Sequence, residues 1–378
     1  NQLEQRPNQR LHKVLIATLL FADLRQGGFP VRGHIRTRRH FGQRMEQRFT
    51  GVGRVNIASF FGQKTALKQQ GIARPLYDDT NLRALISFCS RKLQRPFDCR
   101  DVQFLQLFLQ YCLIQHHLGN TPQFSPVQRN WTQSRGEYFT AQEIVRHWKR
   151  RVPQGAHGDE QLFLALLFMM LRTPDPVLDK HQQDQRLRRA IVRMVARFRS
   201  QTGMNFSDEQ GLTDQLYVHL AQALDRSLFE IGIDNSLPEE IHRLYPRLLR
   251  TTKEALFELE AEFGLRFSDE EMSLVAVIFG AWLMQETDLH EKQVVLLTGE
   301  DKACEELIEQ QLRELTLLPL NIRYLSLEAF KKEGAPREAA LVITPYPTAL
   351  PLFSPPLIHA VETLNTQQQE HIRVMLES

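Results

Sequence analysis

The chain is poor in the residue patterns that announce chemistry. Among its 378 residues are four cysteines, Cys89, Cys99, Cys112 and Cys304. No two form a CxxC pair, and none stands at zinc spacing with a histidine. No metal site is expected, and unpaired thiols suit a reducing, cytoplasmic setting. The sequence holds no P-loop, no GxSxG and no glycine-rich phosphate cradle. "GVGRVN" (51–56) lacks the third glycine of a dinucleotide loop and a strand pattern before it. The motif inventory therefore calls for no cofactor and points away from an enzyme. Long hydrophobic runs are missing too. The most apolar stretch, "LFLALLFMML" from Leu162 to Leu171, is far below the roughly 20 residues that cross a bilayer. It predicts a buried core helix, and no membrane partner is expected. "VLIATLLFA", Val14 to Ala22, lacks a small-residue cleavage site and runs into Asp23 and Arg25, so export is not the reading. A net charge of +3 gives the whole chain no nucleic-acid-binding balance.

What charge there is lies unevenly. Between Arg25 and Arg54 stand eight arginines, no lysine and a single acid, Glu46, with glycines breaking the apolar pattern. Residues 1–57 are thus an Arg-rich, poorly patterned segment. Three readings stand for it: a basic arm making phosphate contacts, an unstructured leader, or translation from a shifted frame.

From about residue 70 helical periodicity takes over. "NLRALISFCSRKL" places Leu82, Leu85, Ile86, Cys89 and Leu93 on one stripe, and "RDVQFLQLFLQYCLIQHH" repeats the pattern. "TAQEIVRHWKRR" predicts a shorter amphipathic helix. "TPDPVLDK", with two prolines, marks a boundary. Beyond it the order of elements recurs. Ser207 with Gln210, and Ser268 with Glu271, have capping-box spacing. Pro246 is expected to kink a long helix that Gly264 closes. After residue 292 the pattern turns to strands alternating with helices: "QVVLLTG", "CEELIEQQLREL", "NIRYLSL", "AALVITP" and a final "TQQQEHIRVMLE". That is the signature of a small parallel α/β domain, with "PYPTALPLFSPP" as a proline-rich loop inside it.

The second helical region carries His219 with Arg226 seven residues later, about two turns on and nearly on the same face. No second ligand sits at helical spacing from His219, which excludes a chelate. "HLAQALDRSLFEIGIDNSLPEEIHRLYPRLLRTT", followed by "FSDEEMSLVAVIFGAW", resembles the phosphotransferase-system regulation domain, or PRD. Aligning Phe97 with Phe206 sets Gln110 opposite His219 and His117 opposite Arg226. The resemblance therefore implies a mainly α chain. Two tandem PRD-like helical bundles, at 70–174 and 178–291, precede a small α/β domain at 292–378 that is similar to a sugar-transport IIB domain.

It further implies that His219 is the phosphoacceptor and Arg226 its partner on the phosphate face. The remaining acceptor positions are degenerate. Gln110 and Leu167 in the first copy, Ile278 in the second and Thr298 in the α/β unit cannot take the family's histidine or cysteine roles. Cys304, six residues after Thr298, is the remaining thiol nearby. His116 and His117 point to different faces of one helix, and His359 and His371 are read as surface residues, so none has a role.

The expected function is a PRD-containing regulator of transcription responding to carbon or stationary-phase status, with most phosphohistidine sites lost. Its implied partners are a phosphotransferase-system carrier or transporter protein and a second copy in a homodimer; nucleic acid stays an open question. The alternative is an interaction scaffold that binds such partners without touching nucleic acid.

Overall fold

The computed structural model describes residues 49–50, 79–97, 102, 105, 121–122, 124–151, 159–170, 172, 174–229, 237–286, 293–317, 320–349 and 354–377. The readings for residues 1–57 and for Gln110, Cys99, Cys112, His116 and His117 lie outside the described residues, apart from the Phe49–Thr50 pair below. The described residues form two compact units, one within 28–187 and 217–234, the other within 188–216 and 235–378. Among them, no helix is long and apolar enough to cross a membrane.

The N-terminal unit is almost wholly helical. A two-residue antiparallel pair joins β1 (Phe49–Thr50) to β2 (Thr121–Pro122). Helix α1 (Asp79–Leu93) buries Ile86 and Cys89, three residues apart on the stripe its periodicity predicts. Helix α2 (Pro126–Gln133) opens on a full capping box. The Ser125 hydroxyl accepts from the Gln128 N–H at 3.3 Å, and the Gln128 side chain accepts from the Ser125 N–H at 3.0 Å. Pro126 sits at the first helical position, where no N–H is needed. Helix α3 (Gly136–Arg151) precedes α4 (Asp159–Met170), in which every residue from Leu162 to Met169 is buried. A helix apolar on all sides belongs at the centre of its bundle. The unit also holds the first turns of α5 (Gln182–Thr202) and the C-terminal half of α6 (Glu209–Leu228).

In the C-terminal unit, the later part of α5 and the start of α6 accompany α7 (Leu237–Leu244), α8 (Pro246–Phe263) and α9 (Asp269–Glu286). Phe198 stacks on Phe279 with ring centroids 4.0 Å apart, and Phe206 packs beside both. At the start of α6 the Asp208 side chain accepts from the Gly211 N–H at 2.8 Å, which places a carboxylate where the helix dipole favours it. Pro246 does more than kink. Tyr245 leaves helical geometry at φ −135°, and two separate helices result. Gly264, at φ 65°, ends α8 in the left-handed conformation that glycine adopts without strain. Ser268 caps α9 by accepting from the Glu271 N–H at 3.3 Å.

The chain ends in a four-stranded parallel sheet of order β4 (Asn321–Ser326), β3 (Gln293–Thr298), β5 (Ala339–Thr344), β6 (Leu357–His359). The period of two along β3 divides its side chains between faces. Val294 and Leu296 pack with Ile308 and Leu312 of α10 (Lys302–Leu315) and Ile372 and Leu376 of α12 (Thr366–Glu377). Val295 and Leu297 pack with Phe330 of α11 (Leu327–Glu333) on the other side. Both faces are covered, which is why β3 and β5 read as continuous apolar runs. Strand β6 emerges from the end of the stretch read as a proline-rich loop, just after Pro356.

Candidate functional site

His219 and Arg226 both lie on α6, and both are buried, at 2% and 7% exposure. The apolar residues around them, Leu216, Leu220, Ala223 and Leu224, are fully buried. In this conformation the imidazole faces protein rather than solvent. A phosphoryl donor reaches it only after the groups that cover it part.

Polar ties hold that stretch in place, and they come from residues the sequence reading passed over. The Tyr217 hydroxyl donates to Asp179 at 2.8 Å and accepts from Arg172 at 3.2 Å. Gln222 donates to the Arg172 carbonyl at 2.8 Å. Asp225 accepts from the Trp131 indole at 2.8 Å and from Arg135 at 3.4 Å. At the end of the helix, Gln128 donates to the Leu228 carbonyl at 2.9 Å. The ties therefore fall at positions 217, 222, 225 and 228, on both sides of His219.

Behind them is a buried ion-pair cluster. Asp184 accepts from Arg135 at 3.0 Å and from Arg172 at 3.1 Å. Arg172 also pairs with Asp179. The Arg135 guanidinium lies over the Trp131 ring, 4.6 Å from its centroid. Glu137 is bound by Arg95 at 2.7 Å. Burial alone would push the Glu137 and Asp184 carboxyls above their usual range. For Glu137 the fields of Arg95, Arg172 and Arg135 outweigh burial and hold the carboxyl below its usual range. For Asp184 the fields of Arg172 and Arg135 do the same. Asp225 goes the other way: burial pushes it up, and Arg135 and Trp131 offset only part of that. Burial also works against the charge of Arg172, but Asp184, Asp179 and Glu137 keep it cationic.

The sequence signal for this cluster was the Ser125–Pro126–Gln128 helix start, which places Trp131 and Arg135 on a short helix and the turn after it. The pairings themselves join residues up to 94 positions apart, and no local pattern encodes them.

Of the positions read as degenerate, Leu167, Ile278 and Thr298 fall among the described residues. Leu167 is fully buried in α4, and Ile278 is buried in α9. Thr298 ends β3, at the carboxyl edge of the sheet where open α/β folds place ligands. Next to it, however, the loop amides are taken. Glu305 accepts from the Gly299 N–H at 2.5 Å and from the Tyr346 hydroxyl at 2.7 Å, and that hydroxyl accepts from the Asp301 N–H at 2.9 Å. An added Cβ at Gly299 would lie 2.8 Å from the Tyr346 ring. Cys304 offers no replacement thiolate. Desolvation, with Asp301, Glu305 and Glu362 nearby, pushes its thiol up. Cys89, sealed in α1, is pushed up to about 12 by burial. His359 and His371 are exposed. Among the described residues no group of three or more His, Cys, Asp or Glu side chains is placed to hold a metal.

The PRD domain family model matches residues 192–282, and the model for the C-terminal domain of the stationary phase-inducible protein CsiE matches 292–376. The chain is 64% identical over 315 residues to the "Stationary phase-inducible protein CsiE" of Escherichia coli K12, covering 83% of this chain and 74% of that protein. It is 22% identical over 142 residues to the "Transcriptional regulator ManR" of Bacillus subtilis 168, covering 36% of this chain and 22% of that protein. In sequence, the stretches "ARPLYDDTNLRALISFCSRKLQRPFDCRDVQFL" and "AVIFGAWLMQETDLHEKQ" resemble the first of these relatives. With a PRD at its centre and the matching α/β domain at its end, the chain belongs to the family of the stationary phase-inducible protein CsiE.

Proposed function

We propose that this PRD-containing regulatory protein acts on transcription by docking, in response to carbon or stationary-phase status. In this reading residues 70–174 are a degenerate PRD-like copy, 178–291 the second copy and 292–378 an IIB-like domain. The protein works in the cytoplasm, as a homodimer, and its partner is a phosphotransferase-system carrier or transporter component. It is a substrate at most, never a catalyst. Likeness to a protein named as a transcriptional regulator supports the transcriptional part.

One observation carries the reading: the positions that would relay phosphate are apolar and in the core at Leu167 and Ile278, while His219 remains, buried on a tied helix. Adding a phosphoryl group to a neutral imidazole introduces up to about two negative charges. Beside Arg226 and Asp225 that change is large enough to reset the packing of α6. The test is incubation of the full chain with phosphotransferase carriers and labelled phosphoenolpyruvate. Slow labelling of the wild type that vanishes in His219→Ala is expected. Equal labelling of both, or none under any condition, removes His219 from the scheme. Binding of the full chain to nucleic acid, titrated with salt, separates the transcriptional reading from a pure scaffold, which would not bind even at low salt.

A further inference from the structure

We propose that the buried cluster of Arg135, Arg172, Asp184, Asp225 and Tyr217 is a latch that keeps His219 closed, and that releasing the latch is the step that presents the imidazole. The inference rests on the reading above for the identity of the donor, but its own test needs no donor.

Four ties grip one stretch of α6 at Tyr217, Gln222, Asp225 and the Leu228 carbonyl. Every partner comes from outside that helix: Asp179 and Arg172 from the connection before α5, and Trp131, Arg135 and Gln128 from α2 and the turn after it. His219 lies inside the gripped stretch, two residues after Tyr217 and six before Asp225. A helix segment held only by apolar packing would breathe as its neighbours allow. One held by charge-assisted hydrogen bonds in a dry interior is fixed in register, because each tie broken strands a desolvated partner. The cluster is also interlocked. Asp184 is shared by Arg135 and Arg172, and Arg172 is shared by Asp184, Asp179 and Tyr217. Loss of one pairing therefore weakens the next, which gives the set two states rather than a continuum.

The charge balance gives the latch a trigger. The cluster holds the cations Arg95, Arg135 and Arg172 and the carboxyls Asp179, Asp184, Asp225 and Glu137. A further negative group arriving on α6 meets Arg135 and Arg172 guanidinium groups that are each already engaged by two carboxyls. Phosphorylation of His219 would add negative charge to the gripped stretch and hold the latch open once it had opened.

The test is the rate at which diethyl pyrocarbonate modifies each histidine of the full chain, read peptide by peptide by mass spectrometry. The exposed His359 and His371 serve as internal references. In the wild type His219 should react at least about tenfold more slowly than either reference, as expected for a side chain that needs local opening. Tyr217→Phe, Asp179→Asn and Asp225→Asn should each speed His219 by about fivefold or more, the weight of one net hydrogen bond, with the references unchanged. Phe198→Leu, which weakens packing in the other unit, should leave the His219 rate where it was. Tyr217→Phe removes only a hydroxyl and keeps the ring packed, so it answers the question even where Asp225→Asn fails to fold.

A wild-type His219 that reacts at the reference rate overturns the latch. So do folded variants that leave His219 slow, and so does a Phe198→Leu effect equal to theirs. If His219 opens on schedule but takes no label from carriers in Tyr217→Phe, the latch stands and the donor assignment falls.

Discussion

Each compact unit holds arginine and carboxylate pairs, and a dry set in one contrasts with a solvated set in the other. In the N-terminal unit Arg135, Arg172, Asp184 and Asp225 are almost dry, each at 5% exposure or less. In the C-terminal unit Arg193 pairs with Glu262, Arg197 with Glu258 and Arg250 with Glu314, with arginine side chains 36% to 56% exposed. The chemistry is the same; the solvent is not. Exposed pairs are screened, and they lose side-chain entropy for little gain. Buried pairs repay their desolvation only while all partners are present. The first kind decorates a surface. The second fixes an arrangement, at the risk of a large penalty when one member leaves.

The sharpest way to break this contrast is to remove one buried partner. Arg135→Ala leaves Asp225 without its cation and Asp184 with Arg172 alone, and should cost about 3–5 kcal/mol in urea unfolding of the full chain. A cost close to that of an exposed pair would erase the difference between the units.

The second prediction divides the cluster itself by pH. Asp184 has a lowered folded-state value, so its contribution is present above the unfolded value of about 3.9 and is lost as pH falls through the folded one. Asp225 has a raised folded-state value, so its contribution is present at low pH and is lost as pH rises through the folded one. Urea midpoints measured from pH 3 to 8 should then show Asp184→Asn growing more costly with rising pH and Asp225→Asn growing less so. Parallel slopes would mean that the two carboxyls do not sit in opposed environments.

A smaller effect is expected at the sheet edge. Glu305→Ala leaves the Gly299 N–H and the Tyr346 hydroxyl without their acceptor and should cost about 1–3 kcal/mol. Amide exchange at Gly299 should quicken in parallel; unchanged exchange would show that the carboxylate is incidental there. Smallest of all, Arg193→Ala should change stability by no more than about 1 kcal/mol, and that change should shrink in high salt. A larger or salt-independent loss would place the outer ladder in the same class as the inner cluster.

Much of the fold was legible because its elements are locally redundant. Strands β3 and β5 are unbroken β-branched and leucine runs between turn residues, and α4 is apolar all round. Gly264 and Ser268 mark helix ends by mechanisms that need no tertiary knowledge. Strand β6 was hidden because prolines stand before it, and α11 because seven residues carry too little periodicity to be seen. Helix α2 had a readable start in Ser125, Pro126 and Gln128, but "VQRNWTQ" lacks the apolar stripe that draws attention to a helix. Leu216, Leu220 and Leu224, four residues apart, form a stripe that the fold buries around His219. What no stripe reveals is which acid pairs with which base. Arg135 meets Asp184 and Asp225 at separations of 49 and 90 residues, and only the folded chain brings them together.

One guanidinium, on Arg172, grips Asp179 and Asp184 at once, and so pins the proline-containing connection from α4 to the start of α5. That connection also closes on itself, with Asp175 accepting from the Val177 and Leu178 amides at 2.7 and 3.0 Å. Anchored both by a cation and by its own amides, this corner is a stapled joint rather than a loose tether.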